Sequence, residues 1–110
     1  MVLGIDIGGT NTEFAVVDST KGILHTEKIK TKGHDSFLNY IEKLTDVVKL
    51  LSSNYSISSI GIGAPNFDSY SNTFSPVNFP WSDVAPFNLA KHLEHEVCIP
   101  TSVVNDANAV

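Results

Sequence analysis

Apolar and polar positions along the chain follow two periods, one near two residues and one near three and a half. Val2 to Ile7 is an apolar run broken by Gly4 and closed by Gly8-Gly9, which predicts a buried strand entering a tight turn. Strand character resumes from Thr12 to Val17 and stops at the turn cluster Asp18-Ser19-Thr20-Lys21-Gly22. Ile23 to Thr31 alternates loosely, predicting a third strand with one exposed face. The period then lengthens. Phe37, Tyr40, Ile41, Leu44, Val47, Val48 and Leu51 recur at helical spacing, while Glu42, Lys43, Asp46 and Lys49 fill the opposite face. Asp35 or Ser36 suits the start of this helix, and Ser52-Ser53-Asn54 ends it.

Ile57 to Ile62 predicts another buried strand, leading into Gly63-Ala64-Pro65-Asn66. The stretch 67–83 is rich in Ser, Asn, Pro and aromatic residues and lacks a period; loops of that length are usually functional or pair into a small hairpin. Pro86 suits the first turn of a helix carrying Phe87, Ala90, Leu93 and Val97 on one face, which Pro100 stops. Thr101 to Val104 is a further strand, and 105–110 reads as a strand end turning into a helix. The order is three strands joined by short turns, then helix, strand, loop, helix and strand. An opening antiparallel meander followed by strand–helix alternation implies an α/β domain with a mixed sheet and flanking helices. It is the order of a ribonuclease-H-like, or actin-like ATPase, domain.

Composition narrows the classes of function. A chain of 110 residues is long enough for one small domain with a real core. Its net charge of −5 argues against nucleic-acid binding, which needs a basic face. Nothing resembles a polybasic membrane segment, a signal peptide or a transmembrane stretch, so no membrane association and a cytoplasmic address are expected. Cys98 stands alone, so no disulfide forms within the chain, and between Val97 and Ile99 it reads as a small buried hydrophobe. His25, His34, His92 and His95 are scattered; His92 and His95 share a helix face but read as surface residues and not as a metal pair.

Two segments carry candidate chemistry. In Asp6-Ile7-Gly8-Gly9-Thr10-Asn11, two glycines allow close backbone approach to a phosphate and conformations closed to other residues, and successive N–H groups can form an anion-binding nest. Thr10 and Asn11 add side-chain donors, and Asp6 can hold a magnesium ion directly or through water. The segment is neither a Walker A loop nor a Rossmann fingerprint; a plain Gly-Gly hairpin turn is the alternative. At the other end, Asn105-Asp106-Ala107-Asn108 follows a buried strand, where α/β sheets place ligands. A carboxylate there can take the proton of a hydroxyl that attacks a γ-phosphate, and Asn105 suits a sugar hydroxyl; Asp106 as a helix cap is the alternative.

Taken together, four segments resemble the ROK family of sugar kinases: Leu3 to Asn11, Gly61-Ile62-Gly63-Ala64-Pro65-Asn66, Asn78-Phe79-Pro80-Trp81, and Ile99 through Ala109. They occur in family order across the whole chain, and the wording of the middle two is most similar to the glucokinases of that family. The resemblance implies transfer of the ATP γ-phosphate to the 6-hydroxyl of glucose, with Asp106 as general base. It implies Asn78 and Asn105 as sugar ligands and Gly63, Ala64 and Pro65 as the pocket floor. Gly8, Gly9, Thr10 and Asn11 would cradle the ATP phosphates, and Asp6 would assist Mg2+. Trp81 and Phe79 read as packing under the loop. Many family members carry Lys where Asn11 stands, which makes the phosphate contacts here more hydrogen-bonding than ionic. The family's later sugar-binding residues, its structural Zn2+ site and its adenine-binding half lie outside these 110 residues. An N-terminal part of a homodimeric kinase, inactive alone, is therefore expected. The alternatives are a kinase for N-acetylmannosamine, N-acetylglucosamine or fructose, a sugar-responsive repressor of the same family, and a non-catalytic domain of the same fold. The repressor reading is disfavoured because Met1 directly precedes the first strand.

Overall fold

In a computed structural model of the chain, residues 1–64, 67–68, 73–74 and 88–105 are described. They form β1 (Val2–Ile7), β2 (Asn11–Asp18), β3 (Gly22–Lys30), α1 (Phe37–Asn54), β4 (Ser59–Ala64), the short β5 (Phe67–Asp68) and β6 (Thr73–Phe74), α2 (Leu89–Val97) and β7 (Thr101–Asn105). The five long strands make one sheet in the order β3-β2-β1-β4-β7. β1–β2 and β2–β3 are antiparallel, whereas β1–β4 and β4–β7 are parallel. This is the mixed α/β sheet with an antiparallel opening and flanking helices that the element order implied, the actin-like ATPase fold.

Alternation decides the faces. Leu3, Ile5 and Ile7 of β1, Thr12, Phe14 and Val16 of β2, and Ile60 and Ile62 of β4 are buried. The apolar ones among them share one core with Phe37, Tyr40, Ile41, Leu44, Val48 and Leu51 of α1 and Leu89 and Leu93 of α2, so both helices cover this side. The residues between them (Gly4, Asp6, Glu13, Ala15, Gly61) line an open trough of about 730 Å³ on the other side. Its floor is flat because Gly4 pairs with Ala15 on one neighbour and Gly61 on the other.

Local signals set most element ends. Ser36 caps α1 by accepting from the Asn39 N–H at 3.1 Å, which resolves the choice between Asp35 and Ser36. Asp18 closes the β2–β3 turn by accepting from the Thr20 and Lys21 N–H groups and from the Thr20 hydroxyl. Gly22 leaves that turn at φ +81°. The β5–β6 ladder realises the small hairpin left open for the long loop.

Several expectations are corrected. α2 begins at Leu89 under an Asn88 cap that accepts from the Lys91 N–H at 2.9 Å, later than the helix start expected at Pro86. β4 runs to Ala64, so Gly63 and Ala64 belong to the strand and not to the turn after it. Cys98 is exposed, not buried: it ends α2 at φ 57°, and this left-handed residue carries its side chain out of the apolar stripe. His92 is half-buried, with Nε2 3.2 Å from Thr45 Oγ1. The Thr45 proton goes to the Ile41 carbonyl at 2.7 Å, so His92 donates across the α1–α2 contact. Residues 106–110, expected to begin a helix, lie outside the described residues.

Candidate functional site

Sheet register gathers part of the expected site at one edge. Asp6 lies opposite Gly63, Gly63 opposite Val104, and Ala64 opposite Asn105. These are the carboxyl ends of the three parallel strands, the side where open α/β sheets place ligands. With strands about 4.8 Å apart, Asp6 and the end of β7 stand roughly 10 Å from each other, with the end of β4 between them. The turn from Gly8 to Asn11 leaves β1 at this same edge. Pro65, Asn78 and Asp106, together with Phe79 and Trp81, lie outside the described residues.

Asp6 is exposed and faces Glu13 directly across the β1–β2 ladder. Like charges directly opposite are unfavourable unless something positive offsets them, and Lys28 stands opposite Glu13 on β3. The pair offers hard oxygen donors of the kind magnesium takes while keeping several of its waters. Among the described residues no group of three or more His, Cys, Asp or Glu side chains is placed to hold a metal.

The turn itself is held from behind. Gly8 gives its N–H to the Asn11 carbonyl at 2.9 Å, while its own carbonyl accepts the Thr31 hydroxyl at 2.7 Å. The Thr10 carbonyl accepts the Thr31 N–H at 2.9 Å. Thr31 Oγ1 lies 2.8 Å from Thr12 Oγ1, which in turn lies 2.6 Å from the Tyr40 hydroxyl. Thr12, Thr31 and Tyr40 are all 0 % exposed. Burial pushes the Tyr40 phenol up to about 12, partly offset by its hydrogen-bond contacts with Thr12 and Thr31. Gly9 and Thr10, by contrast, are exposed and Asn11 is half-buried.

The glycines act differently from the expectation. Neither Gly8 nor Gly9 has a positive φ; among the described glycines only Gly22 and Gly33 do. Gly8 is needed for space, because a Cβ there would sit 2.9 Å from the Asn11 carbonyl oxygen. At Gly9 a Cβ would meet nothing within 4 Å, which leaves clear room over the turn.

Sequence reasoning placed Tyr40 only on the apolar face of α1 and Thr31 only at a strand end. A signal for Tyr40 existed, since a buried tyrosine hydroxyl must find a partner. Thr31 carried none, because its role depends on β3 lying beside β2.

The ROK family model matches residues 2–110. The chain is 33% identical to a glucokinase of Halalkalibacterium halodurans over 113 residues, covering 96% of the chain and 33% of that protein. It is 32% identical over 110 residues to an N-acetyl-D-glucosamine kinase of Vibrio atlanticus, covering 98% and 35%. The crystal structure of a ROK family glucokinase from Streptomyces griseus in complex with glucose and AMPPNP superposes with a TM-score of 0.75 at 32% identity, covering 98% of the chain and 34% of that structure. The chain spans about a third of the length of the curated relatives it matches.

Proposed function

The chain belongs to the ROK family, and from that premise we propose that it contributes the phosphate turn and part of the sugar pocket of an ATP-dependent glucokinase. The observation that carries this reading is the register that lines up Asp6, Gly63, Ala64 and Asn105 beside the Gly8-to-Asn11 turn at one sheet edge. A γ-phosphate and a sugar hydroxyl must meet in line, and phosphoryl transfer depends mainly on positioning and charge neutralisation.

In this reading Gly8, Gly9, Thr10 and Asn11 bind the phosphates of ATP through backbone N–H groups and the two polar side chains. Asp6 holds the magnesium ion, with Glu13 beside it in the ladder. When bound, the ion neutralises charge on the phosphate oxygens. The Gly63-to-Pro65 backbone floors the sugar pocket, and Asn78 and Asn105 hydrogen-bond sugar hydroxyls. Asp106, next in sequence after the last residue of β7, takes the proton from the 6-hydroxyl. The whole protein acts as a homodimer in this reading, with small-molecule partners only.

A kinase for N-acetylglucosamine is the second reading, favoured by the 32% identity to the Vibrio atlanticus enzyme. The test uses protein from the complete reading frame with glucose, N-acetylglucosamine, N-acetylmannosamine and fructose compared by kcat/KM. Glucose is expected to lead, and Asp106→Asn to lower kcat by about 10²–10⁴-fold with the sugar KM little changed. Absence of phosphorylation of every sugar, or an undiminished kcat in D106N, sinks the proposal.

A further inference from the structure

The three buried hydroxyls behind the turn form a chain with one direction. Each hydroxyl has a single proton to donate. The Gly8 carbonyl can only accept, so Thr31 spends its proton there. Thr31 Oγ1 therefore accepts from Thr12, and Thr12 Oγ1 accepts from Tyr40. The phenol that starts the chain is pushed up to about 12 and keeps its proton.

The direction matters because of what lies across each peptide bond. In a trans peptide the C=O and the following N–H point opposite ways, and no described peptide bond is cis. Thr31 receives two carbonyls of the turn, that of Gly8 on its hydroxyl and that of Thr10 on its N–H. Both following N–H groups, of Gly9 and of Asn11, must then point away from Thr31. For Gly9, which lies in the turn, no backbone acceptor is found among the described residues. Outside Gly9 there is clear space, so a ligand atom can approach. A single buried residue on β3's end thus aims two donors of the β1–β2 turn.

We propose that Thr31 is a positioning residue for nucleotide phosphate, turning the Gly9 and Asn11 N–H groups together towards a phosphate oxygen, with Thr12 and Tyr40 fixing its hydroxyl. This inference rests on the phosphate reading of the turn given above. Preorganised N–H donors bind an anion without the cost of reorienting the backbone. Loss of the Thr31 hydroxyl frees the Gly8–Gly9 peptide to rotate, while the Thr31 N–H still holds the Thr10–Asn11 peptide. The effect is therefore partial and falls on the nucleotide alone.

The experiment compares wild type, Thr31→Val, Thr31→Ser and Tyr40→Phe in protein from the complete reading frame. T31V is expected to raise the nucleotide KM about tenfold, the order of one lost hydrogen bond to a charged group, with the sugar KM within about twofold of wild type. T31S, which retains the hydroxyl, is expected to restore the nucleotide KM to within about threefold. Should T31V fail to fold, Y40F tests the same chain at its far end and is expected to raise the nucleotide KM about threefold. An unchanged nucleotide KM in the variants that fold, an equal rise in both KM values, or no rescue by serine overturns the proposal.

Amide chemical shifts of Gly9 and Asn11 on adding magnesium and AMPPNP separate the two levels. Shifts in wild type that shrink at Gly9 in the folded variants support the positioning role. Equal shifts in wild type and variants overturn the positioning role and leave the phosphate reading standing. No shift in wild type overturns both.

Discussion

The Tyr40 hydroxyl donates to Thr12 Oγ1 across 2.6 Å, joining the first helix to the residue that follows the Gly8-to-Asn11 turn. A phenol in this position is neutral up to about pH 12, whereas in the unfolded chain it ionises near its ordinary value of 10.0. The folded state therefore holds its proton more tightly. The stabilisation is fully present below pH 10 and is lost as the pH rises towards about 12. Tyr40→Phe is expected to flatten this alkaline limb when unfolding is followed by urea titration at a series of pH values. A limb as steep in Y40F as in wild type would show that other groups cause it.

Gly8 and Gly9 should separate cleanly on mutation. Gly8→Ala forces its Cβ to 2.9 Å from the Asn11 carbonyl oxygen, so the turn must distort, and both the melting temperature and nucleotide affinity are expected to fall. Gly9→Ala meets no protein atom within 4 Å and has no positive φ, so its stability should stay within about 0.5 kcal/mol of wild type. Yet the new methyl group occupies the space the phosphate reading assigns to ligand, so nucleotide binding weakens. Calorimetric titration with AMPPNP on G9A checks this; unaltered affinity would place the ligand elsewhere.

Leu44 and Leu38 lie on the same helix with opposite fates. Leu44 is 0 % exposed and Leu38 is 68% exposed. Leu44→Ala is expected to cost about 2–5 kcal/mol through lost burial and a residual cavity. Leu38→Ala should change stability by less than about 0.5 kcal/mol. Chemical denaturation of the two variants measures the difference, and equal losses would contradict the face assigned to α1.

Asp18 gives the acid counterpart of Tyr40. Hydrogen bonds from the Thr20 hydroxyl, the Thr20 N–H and the Lys21 N–H lower its carboxyl from 3.8 to about 2. The folded pKa is depressed, so the contribution is present above pH 3.8 and is lost as the pH falls towards about 2. Asp18→Ala is expected to remove that part of the acid transition and to loosen the β2–β3 turn. An NMR titration of the Asp18 carboxyl that gives an ordinary midpoint would refute the assignment.

Hydrophobic period alone determined much of this protein. The apolar run from Val2 to Ile7 and the helical recurrence from Phe37 to Leu51 are local properties, and they specified a buried strand, a helix and the helix's buried face before any contact was known. The motif wording around Gly8-Gly9 and Asn105-Asp106 likewise pointed to the family. Element ends were less legible. The start of α2 passed from Pro86 to Asn88's side, because a side-chain oxygen accepting the Lys91 N–H is decided by local geometry that the residue string leaves open. Cys98 was misread because a left-handed cap turns its side chain away from the apolar stripe that its neighbours follow.

Only the tertiary structure decided how the turn is held. Thr31 stands nineteen residues beyond Thr12 in sequence, and Tyr40 twenty-eight. No periodicity links them to Gly8. Their hydroxyls meet because β3 pairs antiparallel with β2 and α1 lies across the same face, so that strand order and register, and not composition, supply the partners. The sequence by itself singled out Gly8 to Asn11 as candidates for phosphate contact. The fold chose which buried hydroxyl holds the Gly8 carbonyl, since a hydrogen bond needs a partner within about 3 Å and only the folded chain brings one there.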